Sequence, residues 1–401
     1  MTTRTCTASW ALLVAVASWS CADRPTEVTR APEPPQFSAV KFWDVTASTR
    51  WNHRATELLI HAPGNAQAWT SRMLTYLSIA QYRAVLAAEN DKAGAMHPSV
   101  SAAVNGASVA MLSEFFPLDV DAIQGWLEAD RTLESWPGEM NNVASAGEAI
   151  GRAVALTVIA QSKSDNYFIL SPGVPPVGAG YWTSAPGVAI VRALYGVRPF
   201  FLTSSDQLRP PPPPAFGSPA FLDALHEIRA ISDTRTNEQI QIAQFYAWGT
   251  APFTAGSLNL IADQVIDENH RTEREAARIL AYANAAAFDA LIACFDAKFA
   301  YWYIRPSQAD PPNAETGSPG ITLVVPLPNH PSYPSGHSCI TSAMMTSLSD
   351  AIPSERERLE ALITITGLSR MYGGLHYRFD VEAGQVIGRG AAALARAGSL
   401  E

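Results

Sequence analysis

Residues 272–304 read TEREAARILAYANAAAFDALIACFDAKFAYWYI and run without a glycine or proline until Arg305-Pro306. Alanine favours the helix, and the larger apolar residues fall on nearly every side of it. A breaker-free helix of this length, apolar all round, has to lie at the centre of a bundle. Shorter stretches repeat the helical pattern. Residues 66–89 place Trp69, Met73, Tyr76, Leu77, Ala80 and Ala84 at three- and four-residue steps. Further helices are expected at 98–115, 119–134, 141–162, 236–248, 254–267, 336–351, 354–370 and 378–397. Pro117 and Pro137-Gly138 separate neighbours, and Thr236-x-x-Gln239 reads as a capping box. No strand-like alternation of useful length appears. The expected fold is all-α: two packed helical bundles joined by a long crossover.

That crossover is residues 166–218. It holds Pro172, Pro175, Pro176, Pro186, Pro199 and the run Pro210 to Pro214, interleaved with Tyr167, Phe168, Tyr181, Trp182, Phe200 and Phe201. Proline removes donors and clashes with the preceding turn, so regular helix is excluded there. The aromatic residues instead suit an ordered segment packed over the body, with the proline run as a rigid spacer. The organisation expected is an N-terminal bundle over 39–165, the crossover, and a C-terminal catalytic domain over 219–401.

Ahead of these lies an export signal over 1–21. Arg4 is the only charge in the first 20 residues, and the apolar run Trp10 to Trp19 precedes Ser20-Cys21. Residues 22–38 are a Pro-rich, charged tether. The protein is therefore expected in the periplasm or outside the cell, with lipidation of Cys21 as an open alternative. Beyond the signal, no uninterrupted apolar stretch reaches the ~18 residues that a spanning helix needs. The mature chain is accordingly read as having no transmembrane domain. A homo-oligomer is compatible with the sequence.

The 401 residues are 47% hydrophobic and 16% charged, enough for a large core, and the formal net charge is -9. Such an acidic chain is a poor partner for nucleic acid or an anionic membrane. Cys294 and Cys339 lie in apolar helical settings, which favours buried thiols and leaves a disulfide open. There is no C-x-x-C and no H-E-x-x-H, so nothing points to a zinc site.

Basic and protonatable residues concentrate locally, between Lys298 and Asp380. Lys298 and Arg305, seven residues apart, would project from one helix face beside buried aromatic residues, where two cations need an anion. Pro334-Ser335-Gly336-His337 opens an apolar helix. Its serine can cap, its glycine lets a ligand approach, and the first free N–H groups point at an anion. Arg370 is followed by Gly373-Gly374 and then His376 and Asp380, four residues apart, one turn on a helix. Taken singly, these clusters also read as surface charges, an ordinary N-cap and a surface pair.

Taken in order, Lys298-x6-Arg305-Pro306, then Pro334-Ser335-Gly336-His337, then Ser369-Arg370-x5-His376-x3-Asp380, they resemble the type-2 phosphatidic acid phosphatase and vanadium-dependent haloperoxidase superfamily. The stretch AYANAAAFDALIACFDAKFAYWYIRP and the helical N-terminal half look like soluble bacterial haloperoxidase-type members. The resemblance implies an oxyanion pocket. Lys298, Arg305 and Arg370, with the Ser335 hydroxyl and the Gly336 N–H, would neutralise the equatorial oxygens. His376 would bond the central atom, His337 would act as acid and base, and Asp380 would orient His376.

Two chemistries share such a pocket. In a haloperoxidase the cofactor is vanadate on His376, Lys298 polarises peroxide, and hydrogen peroxide and halide are the substrates. In a phosphatase there is no cofactor, and His376 attacks a phosphate ester to give a phosphohistidine. The sequence His376-Tyr377-Arg378-Phe379-Asp380 resembles the haloperoxidase version, which is the expectation carried forward. His330 stands where the resemblance places halide tuning, although Asn329-His330-Pro331 also reads as a structural turn. A non-catalytic oxyanion-binding protein is the third reading. It would need a broken acid/base set, and both His337 and His376 are present.

Overall fold

The computed structural model describes residues 45–61, 67–91, 97–134, 141–169, 171–188, 190–246 and 251–400. The expected export signal and tether and the expected Pro137-Gly138 break lie outside the described residues. Thirteen α-helices are formed among those described: α1 Ala47–Glu57, α2 Gln67–Asn90, α3 Val100–Phe115, α4 Val120–Glu134, α5 Asn141–Lys163, α6 Pro219–Thr234, α7 Asn237–Phe245, α8 Ala251–Glu268, α9 Glu273–Tyr301, α10 Pro306–Ala309, α11 Gly336–Ala351, α12 Arg356–Tyr372 and α13 Arg378–Ala397. The only β features among these residues are isolated bridges, such as Tyr181 to Tyr303. The fold is all-α.

α9 is the axis. Thr272 caps it, accepting from Glu275 N while the Glu275 carboxylate accepts from Thr272 N at 2.9 Å. From Ala276 to Cys294 nearly every residue is buried. α2 packs on one side, and α11 and α13 on another. Its alanines let those helices approach closely, and each fully buried Leu or Phe adds about 2 kcal/mol. A file of amides crosses this core. Asn52 donates to Asn259 (3.0 Å), Asn259 to Asn284 (2.9 Å), and Asn284 to Ser78 (3.1 Å), so the side-chain amide N–H groups meet buried acceptors. Cys294 and Cys339 are buried free thiols.

By length and composition, Val143–Lys163 and Glu273–Tyr301 are apolar enough to cross a membrane, which the sequence reading found nowhere beyond the signal. For α9 the reason is its central position: 89% of its most apolar window is buried inside the protein.

No helix forms among the described residues of 164–218. Asp289 of α9 pins this crossover, accepting from the N–H groups of Phe200 (2.8 Å), Phe201 (2.6 Å) and Leu202 (3.1 Å). The proline run is more than a spacer. Tyr301, Tyr333 and Tyr303 donate their hydroxyls to the carbonyls of Pro210 (2.7 Å), Pro211 (2.7 Å) and Pro214 (2.6 Å). It is a strap tied to the end of α9.

α11 and α13 touch backbone to backbone. A Cβ on Gly384 would stand 2.6 Å from the Ser335 carbonyl, and one on Gly388 2.5 Å from that of Cys339. This contact sets the start of α13 against the start of α11. Replacing Gly384 by alanine is therefore expected to cost about 1–3 kcal/mol. A urea melt checks this, and an unchanged midpoint would contradict the close approach.

Candidate oxyanion site

Lys298 lies in the last turn of α9 and is fully buried. Its ammonium donates to three backbone carbonyls: Pro331 (2.8 Å), Ser332 (2.8 Å) and Pro334 (2.5 Å). Burial pulls its pKa down to about 8, which leaves it mostly charged at neutral pH.

Arg305 is not on the α9 face that seven-residue spacing suggested. The helix stops at Tyr301, Trp302 takes a left-handed conformation (φ 51°), and Tyr303 pairs with Tyr181. Arg305 then caps α10 and reaches the site from extended backbone. All its donors are directed. Nε (3.1 Å) and Nη2 (3.0 Å) reach the His330 carbonyl, Nη2 also reaches His330 Nδ1 (3.1 Å), and Nη1 reaches the Leu375 carbonyl (2.9 Å) and His376 Nε2 (3.1 Å).

His376 is likewise off the helix, just before Tyr377, the N-cap of α13. α12 ends at Tyr372, and Gly374 turns the chain at φ +76°, where a Cβ would stand 2.8 Å from the Thr322 carbonyl. Leu375 N closes back on the Arg370 carbonyl at 3.0 Å. Asp380, in the first turn of α13, then folds back over the cap. Its Oδ2 accepts from Ser332 Oγ (2.5 Å), His376 Nδ1 (2.9 Å) and Tyr377 N (3.2 Å). The pair expected from the spacing is made, but by capping rather than by one helical turn.

This arrangement assigns the His376 tautomer. Burial raises Asp380 to about 6, so at neutral pH it is an ionised acceptor and Nδ1 carries the proton. Burial and the nearby Arg305 and Lys298 charges push His376 well below the usual histidine range. The ring is neutral, and its Nε2 lone pair faces Arg305.

Ser335 is the N-cap of α11, and its N–H donates to the Asp380 carbonyl at 2.9 Å. Gly336 is buried, yet a Cβ built on it would meet nothing within 4 Å. Its backbone opens on empty space at a helix N-terminus, where anions are favoured. Arg370, buried at the end of α12, gives Nε to Ser369 Oγ (3.1 Å) and Nη2 to the Ala243 carbonyl (3.1 Å). Its Nη1 has no acceptor among the described residues. His337 follows Gly336 and bonds to the backbone of Tyr246, just past α7. Burial and Arg370, Lys298 and Arg305 hold it well below the usual range.

All the sequence-selected residues thus lie within bonding or electrostatic reach of one another. Direct donors toward an anion come from Arg370, Gly336 and Ser335. Lys298 spends its N–H groups on carbonyls, Arg305 spends its own on carbonyls and on the His330 and His376 rings, and both act through their charge. Sequence reading missed Ser332, the third donor to Asp380. Its signal was a serine between Pro331 and Pro334. It also missed the end of α7, for which the sequence carried no signal. Among the described residues no three His, Cys, Asp or Glu side chains gather to hold a metal cation. One imidazole lone pair, three buried cations against one carboxylate, and an open glycine instead fit a tetrahedral oxyanion such as phosphate or vanadate.

Fold and site together define a helical protein with buried cations, histidines and a carboxylate gathered at one end of α9. Residues 278–399 match the family model of the PAP2 superfamily. Among solved structures, the chain is similar to one described as the first bacterial vanadium-dependent iodoperoxidase. The TM-score is 0.71 at 23% identity, covering 88% of this chain and 96% of that one. It is also similar to a bacterial vanadium-dependent chloroperoxidase. The holo-type gives TM-score 0.63 at 15% identity, covering 86% and 92% of the two chains, and the apo-type gives 0.62 at 16%, covering 84% and 95%. These likenesses establish a shared fold. Compared with curated proteins, the sequence finds no match.

The depressed Lys298 pKa gives a pH test. Below about 8 the ammonium is present, and above it the charge is lost and anion affinity falls. Sulfate keeps a constant charge through this window. Its affinity is expected to drop as pH rises past about 8, approaching about tenfold per pH unit. A flat calorimetric profile would contradict the assignment.

Proposed function

We propose that the chain is a vanadate-dependent haloperoxidase-type enzyme, oxidising halide with hydrogen peroxide. The observation that carries this reading is the His376 ring: Nδ1–H on Asp380, Nε2 unprotonated, and buried cations in front of it. The solved structures of like fold described as vanadium-dependent iodoperoxidase and chloroperoxidase support the choice of oxyanion.

In this reading Nε2 of His376 would be the ligand to the oxyanion. Arg370 Nη1, the Gly336 N–H and the Ser335 hydroxyl would hold it, and Lys298 and Arg305 would offset its charge. When bound, vanadate supplies a Lewis acid that activates peroxide toward halide without changing its own oxidation state. Asp380 keeps the His376 tautomer fixed, with Ser332 and the Tyr377 N–H sharing its Oδ2. His337 is neutral at working pH and accepts a proton from incoming peroxide. Its bond to Tyr246 holds the ring in place. His330, 3.1 Å from Arg305 and beside Phe295, borders the halide's approach.

The test is a pair of assays on purified protein: halide oxidation with peroxide and added vanadate, and p-nitrophenyl phosphate hydrolysis without vanadate. Vanadate-dependent halide oxidation is expected. Arg370→Ala should lower it by about 10²–10³-fold, as for loss of one preorganised donor. His376→Ala should also abolish vanadate retention in equilibrium dialysis. Hydrolysis inhibited by vanadate, with no halide oxidation, would make the protein a phosphatase working through the same histidines.

A further inference from the structure

A second concavity adjoins the oxyanion site. The side of α9 facing the crossover presents Phe295, Phe299 and Ala300, and opposite them stand Arg192 and Tyr195. They wall a cleft of about 130 Å³. A cavity of roughly 150 Å³ accommodates one benzene ring, so this cleft is one ring in size.

Its charges do not cancel. Arg209 pairs with Asp296 through two bonds (2.7 and 3.0 Å), which neutralises both. Arg192 has no carboxylate partner among the described residues. Its guanidinium lies over the Tyr195 ring, 3.7 Å from the centroid, and Nε (3.1 Å) and Nη2 (2.7 Å) both go to Ser171 Oγ. Nη1 has no acceptor among the described residues. The cleft thus combines three aromatic rings with one uncompensated guanidinium edge, the geometry that recognises a carboxylate.

Phe295 is a wall shared with the catalytic site. Its ring lies 5.3 Å from that of His330, and His330 Nδ1 is 3.1 Å from Arg305 Nη2. A ligand in the cleft sits one side chain away from the residues bordering the oxyanion.

We propose that this cleft is a subsite for a single-ring aromatic carboxylate, the organic acceptor of the reaction. Its binding stands on the cleft itself, and its role as acceptor rests on the halide-oxidation reading. A phenolic ring held there meets hypohalous acid as it leaves. A carbon–halogen bond forms, the halogen–oxygen bond breaks, and the ring proton departs with the hydroxide as water. Arg192 holds the carboxylate, while Phe299 and Tyr195 stack on the ring.

The experiment uses 4-hydroxybenzoate and its neutral analogue 4-hydroxybenzyl alcohol in titration calorimetry. The proteins are wild type, Arg192→Gln and Ala300→Phe, each checked for an unchanged melting temperature. Saturable one-site binding of the acid to wild type is expected, about tenfold weaker in Arg192→Gln, where a charged hydrogen bond is lost. Ala300→Phe, which fills the slot from its exposed rim, should weaken both compounds. Arg192→Gln should leave the alcohol unaffected. In turnover, the KM for the acid should rise about tenfold in both variants, while triiodide formation without organic acceptor stays unchanged. No saturable binding to wild type, or equal affinity in all three proteins, would overturn the subsite. If Arg192-dependent binding persists in a protein that oxidises no halide, the subsite stands and the haloperoxidase reading fails.

Discussion

Three buried cations face one buried carboxylate, and the irregular parts of the C-terminal half follow from that imbalance. Lys298, Arg305 and Arg370 are each no more than 2% exposed, and Asp380 is fully buried. Removing such charges from water costs several kcal/mol apiece unless polar groups replace the solvent. Backbone carbonyls do so here. Residues 330–334 turn the oxygens of His330, Pro331, Ser332 and Pro334 inward, and Leu375 and Ala243 add two more. Ala243 offers a carbonyl from the last turn of α7, where no intrahelical partner exists, but a helix through the other residues would have used their carbonyls internally. The Pro-rich excursion before α11 and the glycine turn after α12 are non-helical because the cations need their oxygens. Carbonyl dipoles still leave excess positive charge, which is what an oxyanion would complete.

The helical body makes this stable. α9 is held by α2 on one side and by α11 and α13 on another, so Lys298 projects from a helix whose position is fixed by the whole core. Gly384 brings the Ser335 carbonyl against α13. As a result Ser335 N reaches the Asp380 carbonyl, and the carboxylate of Asp380 meets Ser332 and His376. The strap of prolines over Tyr301, Tyr303 and Tyr333 closes the same end.

Most of the helices were legible in the sequence because apolar periodicity and breakers report directly on which face is buried. α9, α11 and α13 begin within a residue of where the pattern placed them. The members of the site were legible too, since cations among aromatic residues and a Ser-Gly-His helix start carry physical meaning. What failed was local geometry. Seven-residue spacing put Arg305 on α9, but the left-handed Trp302 ends the helix first. Four-residue spacing put His376 on α13, but Asp380 instead caps that helix from inside. Ser332 and the contacts of Ala243 and Tyr246 depend on chain segments meeting across long separations, which periodicity does not encode.

His376 presents an unprotonated Nε2 to the cation pocket because Asp380 holds its Nδ1 proton. Nitrogen-15 NMR of histidine-labelled protein, with His376→Gln to assign the signals, reads this directly. At neutral pH the expected result is a protonated Nδ1 and an unprotonated Nε2 whose signal moves when orthovanadate is added. A protonated Nε2, or a His376 signal indifferent to vanadate, would contradict it.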